Sequence, residues 1–427
     1  MTLLPLIGAM YFMTSGGPYG LEELVHKAGY GRALLILAVT PLLWSLPTAL
    51  MVAELSSALP EEGGYYAWVR RALGPFWGFL EAWLTLMASI FDMALYPTLF
   101  VLYLGRFWPA VDNPQAVVLV GSALIAASAA ANILGARIVG GASVVMMVAL
   151  LAPFAVLVAR ALALAHQPVP APAAPATVAP RLDLIGGMLI AMWNYMGWDN
   201  PSTFAGEVRR PQRTYPLALL ATLSLVAFAY IVPVAAVARA GLDPNAWSTG
   251  SWVDVARVLG GPGLAAAIAA GGMICGLGML NALMLSYSRL PLVLAADGFL
   301  PAALTRRHPR TGAPWVAILV CAAAWSCCLG LGFERLVEMG VVLFGLSILL
   351  EFVALVVLRI REPELPRPFR VPGGLFGAAA LGAGPLLLIS LALVRERSAP
   401  VGGVNALLLG AAVIAAGTLV YFFGRRL

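Results

Sequence analysis

The sequence predicts an all-α integral membrane protein of about twelve transmembrane helices, and three observations predict it. Of the 427 residues, 61% are hydrophobic and 11% charged, with a mean hydropathy of +0.91. The apolar residues come in runs of spanning length, roughly 20 helical residues each. These are 1–28, 31–57, 75–104, 115–134, 138–164, 184–208, 215–239, 261–288, 314–331, 335–358, 373–394 and 402–423. Two of them, the first and the sixth, are interrupted by Gly, Pro and polar residues, and four unbroken runs follow each. That recurrence is expected of two five-helix repeats, 1–164 and 184–358, inverted because five is odd. Residues 373–423 then supply two accessory helices, and 1–427 reads as a single domain.

The first run holds helix formers in Met1–Met13 (MTLLPLIGAMYFM) and Leu21–Ala28, with Thr14–Gly20 (TSGGPYG) between them. Gly16 and Gly17 weaken a helix, and Pro18 donates no backbone hydrogen bond. In hydrocarbon the freed N–H and C=O groups are tolerated only against protein or a wet cavity. A Pro-Gly kink used for packing is the alternative for one break alone; two such kinks seldom fall at matching positions. Just beyond, Glu22 and Glu23 either draw cations into a vestibule or pair with Lys27 or Arg32, the simpler expectation.

The second run ends at a turn marked by Pro60, Gly63 and Gly64. Tyr65–Leu73 then alternates aromatic and basic residues as an interfacial helix would, and Glu54 is expected to bind its arginines. In the third run Glu81, Thr85, Ser89, Asp92, Tyr96 and Tyr103 recur at helical spacing, on one face. Asp92 lies near mid-membrane, where a carboxylate needs a partner, water or a ligand. The fourth and fifth runs are rich in small residues, with Gly135, Gly140 and Gly141 permitting close approach, and carry no mid-span Lys. His166–Pro180 reads as an extended external linker.

The sixth run repeats the opening theme. Leu184–Met192 is helical, Trp193–Pro201 (WNYMGWDNP) carries the break, and Ser202–Val208 resumes. Gly241–Gly263 is an external segment in which Trp247, Trp252 and Val255 form either a lid or a passive loop. Gly271–Gly278 (GGMICGLG) suits close packing. Glu338 and Glu351 stand near opposite ends of the tenth run, each within reach of an interface, and prolines stiffen Arg359–Pro372.

Charge and composition exclude several classes. The +6 net charge resides in short loops and is not a nucleic-acid signal. Sixteen of the 26 Lys and Arg residues fall on one side when the N-terminus is placed inside. Both termini are therefore expected in the cytoplasm of a multi-pass protein of the cell (inner) membrane. No basic n-region precedes the first run, so no cleavable signal peptide is expected. Cys275, Cys321, Cys327 and Cys328 read as packing residues, with neither disulfide nor metal. No mid-span His and no nucleophile–base pair is visible, so no enzyme is expected, and no cofactor. A channel would need a continuous polar pore rather than two broken helices.

Gly206–Pro216 (GEVRRPQRTYP), Ala296–Pro301 (ADGFLP) and Leu358–Pro372 (LRIREPELPRPFRVP) resemble inner-loop signatures of the amino acid–polyamine–organocation (APC) superfamily. Gly16–Gly20 (GGPYG) resembles its span-one break. Thr2–Glu23, Asp92–Leu104 and Trp193–Val208 are similar to its polyamine-uptake branch. The resemblance covers nearly the whole chain and implies the leucine-transporter-type 5+5 inverted-repeat fold with broken helices 1 and 6. It also implies secondary active transport by alternating access. It brings Ser15, Gly16, Gly17, Asp92, Tyr96, Trp193, Asn194, Tyr195, Trp198 and Asp199 to one substrate cavity. Two carboxylates and several rings suit an amine cation, through charge-assisted hydrogen bonds and cation–π contacts. The alternative is an amino-acid permease or exchanger, whose substrate carboxylate would meet N–H groups near Ser15–Gly17. The coupling ion is expected to be a proton, carried by Asp92, Asp199 or Glu207. The sodium alternative would use span-one carbonyls with Asn281 and Ser286. The partners expected are the lipid bilayer and a small amine or amino-acid substrate; oligomeric state is not encoded legibly.

Overall fold

The computed structural model describes residues 2–134, 136–164, 182–208, 210–331, 333–398 and 406–424, and every regular element among them is helical. Eight described helical stretches are long and apolar enough to cross a membrane, and Leu3–Thr14, Leu184–Asn194, Trp315–Ser326 and Leu408–Phe423 are shorter apolar helices. Leu35, Leu119, Val145, Phe228 and Leu408 are each more than 60% exposed on helix flanks. In water such residues would form a liability, whereas facing lipid tails they cost nothing.

The opening run is two pieces, α1 (Leu3–Thr14) and the start of α2 (Glu22–Thr40). The chain turns at Gly29, whose φ of 68° separates the outer half-helix from the second span. Pro41 withholds an N–H, and the helix widens to a π-turn over Pro41–Ser45 before α3 (Leu46–Ala58). Beyond the Gly63–Gly64 turn come α4 (Tyr65–Leu73), α5 (Pro75–Gly105), α6 (Pro114–Leu134) and α7 (Ala136–Leu164). The linker read at His166–Pro180 lies outside the described residues.

The second half opens with α8 (Leu184–Asn194), capped by Asp183, whose carboxylate accepts from the Gly186 N–H at 2.8 Å. A 3-10 stretch, Asn200–Glu207, takes the place of the expected second half-helix. Then follow α9 (Pro211–Arg239), α10 (Trp252–Tyr287), α11 (Arg289–Ala296), α12 (Trp315–Ser326) and α13 (Phe333–Arg361). The run at 373–394 is divided at Gly382 into α14 (Gly374–Leu381) and α15 (Ala383–Ser398), and α16 is Ala406–Gly424. Helix α5 packs against α4, α6, α10 and α13, while α1 packs against α7, α9 and α10. The two broken runs therefore lie inside a wall of unbroken helices.

Four side chains differ from expectation. Glu54 is bound not by the arginines of α4 but by those of the proline-stiffened loop: Arg359 Nε at 2.9 Å, Arg367 Nε at 3.3 Å and the Val371 N–H at 2.7 Å. Arg70 and Arg71 go instead to Asp297 and Glu362. Glu351 does not reach an interface; it is fully buried between α13 and its neighbours. Position near the end of the run was the wrong guide, because α4 and α5 pack against α13.

Candidate functional site

The two interruptions touch. After Thr14 the chain is extended at Ser15 (φ −155°, ψ 138°), and Gly17 donates back to Ser15 Oγ at 3.1 Å. In the other run, Gly197 has φ 91° and sits so close to α1 that an added Cβ would lie 2.3 Å from the Met13 carbonyl oxygen. A Cβ on Gly16 would lie 2.2 Å from Cys275 Sγ of α10. Both glycines are needed for close approach: a side chain at Gly197 would push the broken runs apart, and one at Gly16 would push the first break off α10.

Asp92 is the best-supported charge at this junction. Its Oδ1 accepts from Tyr96 OH (2.8 Å) and Trp193 Nε1 (3.1 Å), and its Oδ2 from Tyr287 OH (3.2 Å). The residue is 2% exposed. A carboxylate has about four lone-pair sites, so three donors leave room for another. The Tyr96 and Trp193 rings stack beside it, 6.4 Å apart at 24°. Negative charge walled by aromatic faces is a site for an organic cation.

Two small hollows adjoin this group. One, with a cavity volume of about 10 Å³, is lined by Asp92, Tyr96, Trp193, Gly197 and Tyr287 among others. The other, of like volume, is lined by Ser15, Gly16, Trp193, Asn194, Tyr230 and Cys275 among others. Each has room for about one water, so a substrate needs the surrounding helices to move apart.

The other expected site residues fall in different places. Gly17 faces Leu150 and the Tyr11 hydroxyl. Tyr195 OH donates to the Leu37 carbonyl at 3.1 Å, and its ring meets Tyr230 edge-on. Trp198 Nε1 donates to the Tyr195 carbonyl at 2.7 Å. These two rings brace the break from behind. Asp199 is fully buried, lines neither hollow, and both its carboxylate oxygens lack a partner. The side chain of Glu207 lies outside the described residues. Ser286 donates to Asn200 Oδ1 at 2.8 Å, and Asn281 faces Asn132 of α6. Tyr287 was missed by sequence reasoning, although it adjoins the polar Ser286 at the foot of the eighth run. Thr14, Cys275 and Met279 were missed too, being ordinary packing types.

The segment before α10 packs down as a lid rather than lying free. Trp252 Nε1 donates to the Pro18 carbonyl at 2.8 Å, and Trp247 Nε1 to Tyr30 OH at 2.9 Å. Glu22 pairs with neither Lys27 nor Arg32. Its carboxylate accepts from the Gly20 N–H (2.6 Å), Tyr103 OH (2.7 Å) and the Gly250 N–H (3.2 Å). Glu23 holds the Thr249 N–H and hydroxyl at 2.9 and 2.8 Å, while Lys27 lies 3.5 Å from Asp183. Freed backbone of the lid, not surface cations, satisfies these acids.

The chain matches a family model described as amino acid permease over residues 8–414. It is 37% identical over 399 residues to a probable polyamine transporter of Arabidopsis thaliana, covering 92% of this chain and 82% of that protein. To a polyamine transporter of Oryza sativa subsp. japonica it is 36% identical over 397 residues, covering 92% and 73%. An uncharacterized transporter of Mycobacterium tuberculosis (strain ATCC 25618 / H37Rv) is 32% identical over 332 residues, covering 74% and 70%.

Proposed function

Because the chain belongs to the amino acid permease family, a family of membrane transporters rather than enzymes, we propose that it carries polyamines or related organic cations by alternating access, coupled to protons. The observation that carries this reading is Asp92, held by three donors between the Tyr96 and Trp193 rings where the two broken runs meet. An ammonium group supplies the one thing this carboxylate lacks, a positively charged donor. The relatives named for polyamine transport support the same substrate class. In this reading residues 1–164 and 184–358 are two inverted five-helix halves, and the arginine-rich loops face the cytoplasm.

The rival substrate is an amino acid, whose carboxylate would need free N–H groups at the first break. The Gly17 N–H there is given to Ser15 Oγ and the Ser15 N–H to the Tyr11 carbonyl, which leaves that reading the Gly16 N–H as its donor. Thermal unfolding of the purified protein with spermidine, putrescine and neutral amino acids tests the choice, since a ligand of the folded state raises Tm. Spermidine is expected to raise it, and Asp92→Asn to abolish the shift. Stabilisation by neutral amino acids alone would sink the amine reading.

A further inference from the structure

A second group of buried acids lies apart from Asp92. Glu81 on α5, Asp199 in the second break and Glu351 on α13 are each fully buried and interact electrostatically with one another. Five of their six carboxylate oxygens have no hydrogen-bond partner; the sixth, Glu81 Oε1, accepts from Thr85 at 3.0 Å. No described Lys or Arg pairs with any of them. On the same side, Arg359 and Arg367 are held by Glu54, and Arg289 donates to the Leu285 carbonyl at 2.8 Å.

A fourth group points to what binds there. Tyr65, the first residue of α4, is fully buried, and its hydroxyl also lacks a partner. It stands within electrostatic reach of all three acids and of Tyr287. Its position is fixed by the turn before it, where the Gly63 N–H meets the Thr203 carbonyl at 3.4 Å and Gly64 presses on Ser202. Tyr287 joins this group to the substrate hollow: it donates to Asp92 and also feels the charge of Asp199.

Three negative charges cannot stay in such a place without compensation, because burying even one unpaired carboxylate costs several kcal/mol. No three of the described acids are arranged to hold a metal ion. Neither of the two hollows is lined by Glu81 or Glu351. The proton suits such a place: it turns a carboxylate into a donor for its neighbour and needs no cavity.

We propose that Glu81, Asp199 and Glu351, with the Tyr65 hydroxyl, form a proton-binding cluster distinct from the ammonium site at Asp92. Protons enter from water on one face, are shared among the acids, and leave to water on the other as the helices reorient. Glu81 is eleven residues before Asp92 on α5, about 16 Å nearer the arginine-rich face at about 1.5 Å per residue. The cluster therefore lies between the substrate hollow and that face. The proposal rests on the transport reading above and locates the proton-carrying groups for it.

The test uses full-length protein in liposomes with an entrapped pH dye, wild type against Glu81→Gln and Glu351→Gln. Both variants are expected to keep the spermidine-induced Tm shift and spermidine–spermidine exchange. They should lose dye-reported proton movement and uptake against a gradient. Aspartate at either position should restore part of the proton movement, which a purely structural role does not predict. Should the glutamine variants fail to fold, the wild type has its own readout: infrared difference spectra on spermidine addition should show a band from neutral carboxylic acids changing. Proton movement at the wild-type rate in both glutamine variants, or no carboxylic-acid band in the wild type, overturns the cluster. If spermidine gives no Tm shift but an amino acid does, the substrate reading fails, and the same proton measurements with that amino acid decide the cluster independently.

Discussion

The two ends of the helical bundle are closed by different chemistry. On the lid side, one buried carboxylate, Glu22, collects two backbone N–H groups and a phenol, and aromatic rings fill the rest. Tyr19 lies 5.0 Å from Tyr103 and 5.2 Å from Phe154, and Trp252 lies 5.3 Å from Phe154, all edge-on. On the arginine-rich side, ion pairs between distant loops do the closing: Arg70 with Asp297, Arg307 with Glu62, and Glu54 with Arg359 and Arg367. On the lid side the ion pair of Arg106 with Asp254 is open to water, whereas the buried pair of Glu54 with Arg359 cannot part without stranding charge. The comparison assigns easier opening to the lid side and greater fold stability to the other.

The largest effect is expected at Glu54. Its side chain is 1% exposed and Arg359's is 3%, so removing the acid leaves two guanidinium groups without their shared partner. Glu54→Gln should cost about 3–5 kcal/mol, the range for breaking a buried pair from one side. Thermal unfolding in detergent or nanodiscs checks it. A Tm within a degree or so of wild type would mean that the ion pairs do not hold that face.

A smaller, more directional effect is expected at the lid. Trp252→Phe keeps the ring but removes the indole donor from the Pro18 carbonyl, which retains the Leu21 N–H at 3.2 Å, at a cost of about 0.5–1.5 kcal/mol in the closed state. Each 1.4 kcal/mol is about tenfold in population, so opening toward the lid side should rise about two- to tenfold. Cys275 reports it: the thiol is 1% exposed and lines the hollow beside Gly16. With Cys321, Cys327 and Cys328 replaced, a membrane-impermeant maleimide added on the lid side should label Cys275 faster in the variant. Equal rates would break the comparison at its neutral end.

Much of this architecture was legible because breaks are written in residue types with few other uses inside a bilayer. Gly16, Gly17 and Pro18 in one run and Gly197, Asn200 and Pro201 in the other mark where helix cannot continue, and there it stops. Asp92 was legible for a similar reason, as an acid on a polar helical face. Partner choice was not. Glu22 and Glu23 adjoin Lys27 in sequence yet bind a loop more than 200 residues away. Glu54 passes over Arg70 and Arg71 for Arg359. Nearness along the chain says little about which donors a fold delivers. Tyr195 and Trp198 show the same limit, since an aromatic beside a break can line a cavity or brace its back.

The smallest effect is expected where an ion pair of the arginine-rich face is exposed to water. Glu362 accepts from Arg71 Nε at 2.9 Å and Nη2 at 2.7 Å, and this bidentate contact holds its carboxyl below the usual range. A folded-state value below the unfolded one means the pair stabilises at neutral pH. That stabilisation begins to fade as pH falls below the ordinary glutamate range, about 4.3, and is lost as pH drops through the folded value. With side chains 31% and 40% exposed, solvent and salt screen the attraction, as they do not at Glu54. Glu362→Gln should therefore lower Tm only slightly at pH 7 and low salt, with the difference vanishing at high salt and at pH 3. A salt-independent loss as large as that of Glu54→Gln would show that burial does not separate the two pairs, and the contrast between the closures would have to be drawn on other grounds.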